Sequence, residues 1–270
     1  MGESKQDFIG FPPPLLGERP LRLAVLHHGD GLLALDKPSG ISAAPHPWYL
    51  DMPHLDVAIN EQVQAGKPEL ERLGIEGVHA VFHCEPYYSG VMLFATDSDS
   101  AEYYRNQYGS ALMELTLQLI CKPSEGDSER QCELPLAQHW GIQQRMVVSS
   151  ATGKKAQTAF RELERIGSYA LWEATLRYHR LHQILIHASE VGLPIVGDGI
   201  YAREQELLLS RIKRGYRLDG SGEERPIYDG PIIRLSQLKL TTQAGSELVI
   251  DAGPEKRLEG VLKRLRQFAR

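Results

Sequence analysis

The sequence predicts a mixed α/β fold in a single domain, on three observations. Its 270 residues suit one large domain, which buries roughly three quarters of its surface on folding. Apolar runs of strand length, each closed by glycine, proline or aspartate, recur along the chain. Between them lie stretches whose apolar residues fall at helical spacing. With 42% apolar and 24% charged residues, the composition excludes disordered and fibrous classes. No apolar run exceeds about six residues, too few to span a bilayer. The first 25 residues show no basic segment leading into a long apolar core, so no secretory signal is expected. Cys84, Cys121 and Cys132 are too few and too irregular for a disulfide framework, which predicts a reducing cytoplasm. The formal charge is −5, from 30 basic and 35 acidic side chains, so any nucleic-acid role must rest on a local basic patch.

Residues 1–20 read as an extended arm, because Phe11-Pro12-Pro13-Pro14 favours polyproline geometry. Residues 21–36 give two strands split by a tight turn at Asp30-Gly31. Lys37-Pro38-Ser39-Gly40 ends the second strand, and a proline-rich loop runs to Pro53. A helix follows over 55–64, with Leu55, Val57, Ala58 and Val63 setting its apolar spacing. Strands over 78–82 and 91–95 flank a polar turn at 83–90, and 99–108 should be helical. A strand at 115–120 leads into a polar loop at 122–130, then strands alternate with turns from 146 to 175. Residues 182–191 read as a helix stopped by Gly192. The charged segment 203–225 reads as an exposed insertion, 232–250 as a hairpin turning at Ala244-Gly245, and 255–270 as a basic amphipathic helix.

Three segments hold residues suited to chemistry. The first is 177–187, RYHRLHQILIH. A zinc site would use His179, His182 and His187, but spacings of three and five do not share one helical face and no acidic residue completes a set. The other reading gives Arg180 a carboxylate or phosphate to hold in two-pronged geometry, against the plain alternative of a surface arginine. The second segment is the turn FHCEPYYSG, which a pair of strands can present as an active-site loop, or which leaves Glu85 merely solvated. The third is the basic set Arg145, Lys154, Lys155, Arg161, Arg165 and Arg177, which could line one face for phosphates but is diluted by Glu162, Glu164 and Glu173.

Taken together, these segments resemble the RluA-type RNA pseudouridine synthases. That family opens its catalytic domain with a strand, a K-P-x-G loop and a segment holding histidine and proline, matched here by LLALDKPSGISAAPHP at 32–47. Its central motif runs H-R-L-D, two residues, Ser or Thr, then S-G-L-L-L-F-A, and FHCEPYYSGVMLFA at 82–95 aligns without a gap. MVVSSATGKKAQTAFREL matches a strand, G-K-x-A-x-T, strand unit. YHRLHQILIHASEVGLPIVGDGIY at 178–201 parallels T-G-R-T-H-Q-I-R-V-H followed by L-G-x-P-I-x-G-D-x-x-Y. The resemblance covers roughly residues 21–250, and the pseudouridine-synthase-like domain it implies would occupy 21–270.

The resemblance implies a mixed, largely antiparallel sheet with flanking helices and a central basic cleft. It implies rRNA or tRNA as the partner, a monomer, and no cofactor, metal or membrane. The implied chemistry is isomerisation of a flipped-out uridine to pseudouridine, aided by a carboxylate that an adjacent arginine keeps ionised. Residue by residue, Glu85 stands at the catalytic aspartate, and Arg180 at the arginine expected to pair with it in one cleft. His182 and Gln183 follow as the family pattern has them. His83 replaces the motif's arginine, Phe82 its histidine and Leu185 the arginine of Q-I-R. Leu115 replaces an active-site tyrosine whose hydroxyl Tyr87, Tyr88 or Tyr178 could supply instead. Arg145, Lys154 and Lys155, with the terminal set Lys263, Arg264 and Arg266, are expected to meet RNA phosphates. The alternative is an RNA-binding relative with impaired catalysis, or other chemistry with Glu85 as general base.

Overall fold

The computed structural model describes residues 6–123, 125–217 and 223–269. Parts of the expected arm (1–5), loop (124), insertion (218–222) and last helix (270) lie outside the described residues. The chain packs as two compact units. One is Met1–Leu115 with Leu235–Ala252, the other Thr116–Arg234 with Gly253–Arg270.

The first unit is built on β2 (Leu21–Gly29) and β3 (Leu32–Lys37), antiparallel and joined at Asp30 and Gly31. Both turn residues have positive φ (55° and 72°), the geometry a two-residue hairpin requires and Asp-Gly supplies. β3 and β5 (Ser89–Ala95) pair from Leu32↔Ala95 to Lys37↔Gly90 and are buried almost throughout, as their unbroken apolar runs demand. Around them the order is β1 (Phe8–Phe11), β2, β3, β5 and β12 (Ile233–Thr241), with β4 (His79–Ala80) on β5 and β13 (Glu247–Asp251) on β12. Helix α1 (Leu55–Gln64) has the predicted limits. A short α2 (Pro68–Arg72) follows it, and α3 (Ser98–Gly109) starts at Asp97, which accepts the Ser100 N–H as its cap.

Two expectations change here. The start of the chain is not only an arm: β1 (Phe8–Phe11) pairs with β2, and Ile9 and Phe11 are buried. Alternate apolar side chains made this a strand, and the proline run after it drew attention away. The strand expected over 78–82 is a two-residue β4, since Val78 is spent on the Asn60 side chain, which bonds both its N–H and its C=O.

In the second unit the order is β6-β11-β10-β7, from β6 (Glu114–Cys121), β11 (Tyr169–Leu176), β10 (Thr158–Ile166) and β7 (Glu129–Cys132). β7 begins inside the expected loop 122–130. A separate hairpin joins β8 (Leu136–Gln138) to β9 (Met146–Val148). Helix α4 (Gln183–Glu190) ends at Gly192, whose φ of 72° makes the expected stop. α6 (Lys256–Phe268) buries Leu258, Val261, Leu262 and Leu265, the i, i+3, i+4, i+7 stripe of an amphipathic helix. They join a core with Ile166, Leu171, Val196 and Tyr228. Leu207 and Ile212 belong to that core, which corrects the reading of 203–225 as exposed: among its charges the segment carries two anchors, Leu207 before α5 (Leu209–Ile212) and Ile212 at its end. Registers given by these strands are antiparallel, and no helix of the described residues is long and apolar enough to cross a membrane.

Candidate active site

In the first unit, a turn built around a buried cation carries Glu85. Lys37, at the end of β3, is 2% exposed and sends its ammonium to Ile41 O (2.8 Å), Pro38 O (3.0 Å), Pro86 O (3.2 Å) and Tyr88 O. One cation thereby ties the K-P-S-G loop to the residues on both sides of Glu85. Gly40 N–H donates to Pro86 O, and Tyr88 N–H to Glu85 O, closing the turn. Gly90, the second residue of β5, has φ 105°, and a Cβ there would lie 2.0 Å from Leu235 O on β12. Only glycine permits that approach, so the S-G of the motif is a steric requirement.

Glu85 is fully buried. Its charge is felt by several groups around it. It raises the Cys84 thiol and the Tyr88 hydroxyl, in each case after burial as the larger cause, so Tyr88 stays protonated. It opposes the lowering of His46, which burial dominates. His83 reaches solvent, and partial desolvation, then His46 and Arg105, hold it below the usual histidine value. It is neutral at pH 7 and lines a cavity of about 460 Å³ with Asp56, Asn60, His79 and Arg105. Arg105, fixed by Nε and Nη2 on Ala80 O (3.0 and 2.8 Å), provides a permanent charge close to His83. His46 forms ring contacts with Trp48, Tyr49 and His83 at 5.7 to 6.0 Å. Tyr87 and Tyr88 meet edge to face at 5.2 Å. Leu115 is buried, as an apolar side chain in a strand should be.

In the second unit, Arg180 is held by neutral groups. Its N–H donates to Gln183 Oε1 (3.0 Å), its Nε to Lys155 O (2.8 Å), and its guanidinium lies 4.8 Å over the Tyr178 ring. Gln183, fully buried, spends its amide N–H groups on Gln157 O and Thr158 Oγ1, both at 3.0 Å. His187 bonds Thr158 Oγ1 through Nδ1 (3.0 Å) and Leu134 O through Nε2 (2.9 Å). Because a carbonyl only accepts, Nε2 carries the proton, Nδ1 accepts, and the Thr158 hydroxyl must donate to it. Burial lowers the His187 pKa, consistent with the neutral ring this direction needs. The chain of donors runs one way, from the Gln183 amide through Thr158 and His187 to Leu134.

His182 precedes α4 with φ 56° and is buried. A left-handed histidine is uncommon and persists where its surroundings fix it. Tyr201 does so: its hydroxyl accepts the Met146 N–H (3.0 Å) and meets His182 Nδ1 at 2.6 Å. Arg145 lies over the Tyr201 ring at 5.3 Å and donates to Ile200 O. Asp198 holds this loop by accepting from the N–H groups of Ile200, Tyr201 and Ala202, and burial raises its pKa despite those bonds. The sequence reading passed over Tyr201, Asp198, Thr158, His46 and Lys37, although each lies in a quoted motif segment. Buried support leaves no mark in composition.

Lys154 and Lys155 are exposed and without an ion-pair partner among the described residues, as phosphate contacts require. Arg266 departs from its expected role: both guanidinium prongs bond Glu164, at 2.9 and 2.6 Å. Opposite charges brought side by side by α6 and β10 made that pair. His179, His182 and His187 do not assemble a metal site, and no group of three His, Cys, Asp or Glu among the described residues could hold one.

No family model matches the sequence. It is 28% identical over 182 residues to an uncharacterized RNA pseudouridine synthase of Synechocystis, an alignment covering 66% of this chain and 54% of that one. It is 26% identical over 182 residues to the ribosomal large subunit pseudouridine synthase D of Nitrosomonas europaea, covering 67% and 50%. A stretch of 60 residues, 22% of this chain and 19% of the other, is 45% identical to an uncharacterized RNA pseudouridine synthase of Chloroflexus aurantiacus. The chain spans about half the length of the first two relatives. Among solved structures, the human RNA pseudouridylate synthase domain containing 4 covers 90% of this chain and 92% of its own at TM-score 0.64 and 19% identity. The human RNA pseudouridylate synthase domain containing 1 gives TM-score 0.60 at 15% identity, covering 90% and 94%. These likenesses carry the fold, and the sequence relatives carry the ancestry. The chain is a divergent homologue of proteins named RNA pseudouridine synthases and has the mixed α+β fold of the pseudouridylate synthase domains.

Proposed function

We propose that the protein isomerises a uridine in RNA to pseudouridine, with Glu85 as the working carboxylate. The observation that carries this reading is the Glu85 turn itself. An ionisable side chain is fully buried there, in a turn fixed by a buried lysine and a sterically required glycine. Burying a carboxylate is costly, and a fold with only structural needs would place an apolar residue at that point.

The uridine leaves its stack, because its glycosidic bond is inaccessible there, and unstacking costs a few kcal/mol. It must displace whatever covers Glu85. The carboxylate then assists cleavage of the N-glycosidic bond, the uracil turns, its C5 joins the sugar and gives up its proton, and N1, freed from the sugar, takes one up. Arg180 is the cation proposed to serve Glu85, since a guanidinium suits two-pronged contact with a carboxylate and favours its ionised form. Gln183 supports it, since its buried amide is fully engaged in the protein. For the hydroxyl lost at Leu115, Tyr88 is the best-supported substitute, being protonated and electrostatically coupled to Glu85. Arg105 offers a permanent charge beside His83, where the motif has arginine. Ribosomal RNA is the first substrate to try, given the name of the Nitrosomonas relative, with transfer RNA next. The protein is proposed to act as a monomer in a reducing cytoplasm, where its three free, buried cysteines would stay reduced.

The test is release of tritium from cellular RNA labelled at uridine C5. Wild type should release it, and Glu85→Gln should not, with RNA binding nearly intact. Glu85→Asp should slow the reaction by about 10- to 1,000-fold, because the shorter side chain retracts the carboxylate by about 1 Å. Salt-sensitive RNA binding without release from wild type would leave an RNA-binding relative.

A further inference from the structure

The β8–β9 hairpin lies outside the groups assigned to the reaction. Its tip shows the most exposed large apolar side chain among the described residues, Trp140 at 96%. His139 N–H donates to Arg145 O (2.8 Å), which closes the loop 140–144 immediately beyond the ladder pair Gln138↔Met146. His139 Nδ1 accepts the N–H groups of Gly141 (3.0 Å) and Ile142 (2.9 Å), fixing the chain around Trp140. The indole lies nearly parallel to the His139 ring, at 18° and 6.0 Å between centroids. Ile142 beside it is 48% exposed. A braced loop thus holds a rigid, flat, two-torsion side chain in water, where a fold alone gains nothing from it.

The charge of the segment that carries this tip is one-sided in sequence. From Leu134 to Arg161 the sequence contains no aspartate or glutamate, although the chain has 35 of them in 270 residues. The same stretch carries Arg145, Lys154, Lys155 and Arg161, of which Arg161 is paired with Glu173 at 2.8 Å. Lys154 bonds Leu136 through backbone N–H and C=O, which lays it alongside β8, and its side chain is exposed. Arg145 leaves the foot of the loop.

We propose that the hairpin tip is a stacking platform for an unpaired RNA base, which lies on Trp140 while Arg145 and Lys154 take the neighbouring phosphates. This rests on the RNA reading above and narrows it: the bound RNA presents a loop or single strand at this point. A stretch without acids that exposes Lys154 suits a polyanion, and paired RNA hides the faces of its bases, leaving nothing for an indole to cover. Stacking is tolerant of base identity, so the platform positions RNA without reading sequence.

The test titrates the full chain with a single-stranded oligonucleotide and with a blunt duplex of equal length. Trp140→Ala should weaken single-strand binding by about 5- to 100-fold and leave duplex binding unchanged. Trp140→Phe should retain most of the affinity. Neither should alter the slope of log K against log salt, because no phosphate contact is lost. Single-stranded RNA should quench an emission component in wild type that Trp140→Ala lacks; the chain's other tryptophans are the half-buried Trp48 and the fully buried Trp172. Unchanged melting of both variants shows that the loss is local. Equal binding of single strands by wild type and Trp140→Ala, or equal loss on duplex, would overturn the platform while leaving the RNA reading in place. A wild type that binds neither oligonucleotide would overturn both.

Discussion

Glu85 and Arg180, the two charged groups assigned to the reaction, are held in opposite ways. Glu85 rides on a turn gathered by one ammonium, whose carbonyl partners come from 38, 41, 86 and 88. Arg180 is set by a file of neutral groups, Gln183, Thr158 and His187, each passing a hydrogen bond to the next. A single buried ion has no partial substitute: remove it and several carbonyls lose their donor together. A neutral file fails by degrees, because each member can be trimmed alone. The comparison predicts abrupt loss on one side and graded loss on the other.

The largest effect should come from Lys37→Met. With about 1–3 kcal/mol for each buried carbonyl left without a donor, stability should fall by about 3 kcal/mol or more. At roughly 2–4 °C per kcal/mol for a chain of this size, calorimetry should show it clearly. Lys37→Arg should rescue little, because a planar fork cannot replace a compact ammonium among converging carbonyls. A normal melt for Lys37→Met would break the comparison at its stronger end.

Thr158→Val should act more gently. It keeps shape but removes the acceptor for Gln183 and the donor for His187, at about 1–3 kcal/mol. If Gln183 positions Arg180, kcat for pseudouridine formation should drop by about 10- to 100-fold with a smaller change in KM. Thr158→Ser should restore most of it. A stability loss with unchanged kcat would reduce the file to simple structural support.

His187 makes the file sensitive to acid. Burial holds its pKa below the usual 6.5, so the unfolded chain binds a proton that the folded chain refuses. Its contribution is therefore complete above pH 6.5 and lost as pH falls toward the depressed folded value. His46 and His83, lowered for the same first reason, add in the same direction. Thermal midpoints measured from pH 8 to 5 should decline below about 6.5, and His187→Gln should flatten that decline. The smallest effect belongs to the exposed lysines. Replacing Lys154 and Lys155 together with alanine should leave stability unchanged and flatten the salt slope of RNA binding by roughly 1–2 units. An unchanged slope would remove them from the interface.

Much of this architecture is legible in the sequence because its signals are local. The Asp30-Gly31 turn, the helix at 55–64, the stop at Gly192 and the stripe of the last helix each depend on a few neighbouring residues. The segments that missed did so through partners distant in sequence. β1 needs β2 beside it, the segment around 207–212 needs α6 beneath it, and Arg266 needs Glu164, 102 residues away. The candidate site divides likewise. Glu85, Arg180 and Gln183 stand out by motif spacing, whereas Thr158 matters only through hydroxyl geometry toward His187, which no pattern of residue types announces. Lys37 reads as part of a loop motif, and its collection of four carbonyls appears only in three dimensions.

The measurement that tests the central claim most directly is site-resolved mapping of pseudouridine in cellular RNA. Cells lacking the protein would be complemented with wild type, with Glu85→Gln, or with the combined reversion Glu85→Asp, His83→Arg and Leu115→Tyr. The account predicts at least one uridine converted by wild type, none by Glu85→Gln, and no gain from the reversion, because groups acting as a unit do not return piecemeal to a site settled around the longer side chain. Wild type that makes no pseudouridine in any RNA, beside a reversion that does, would contradict it.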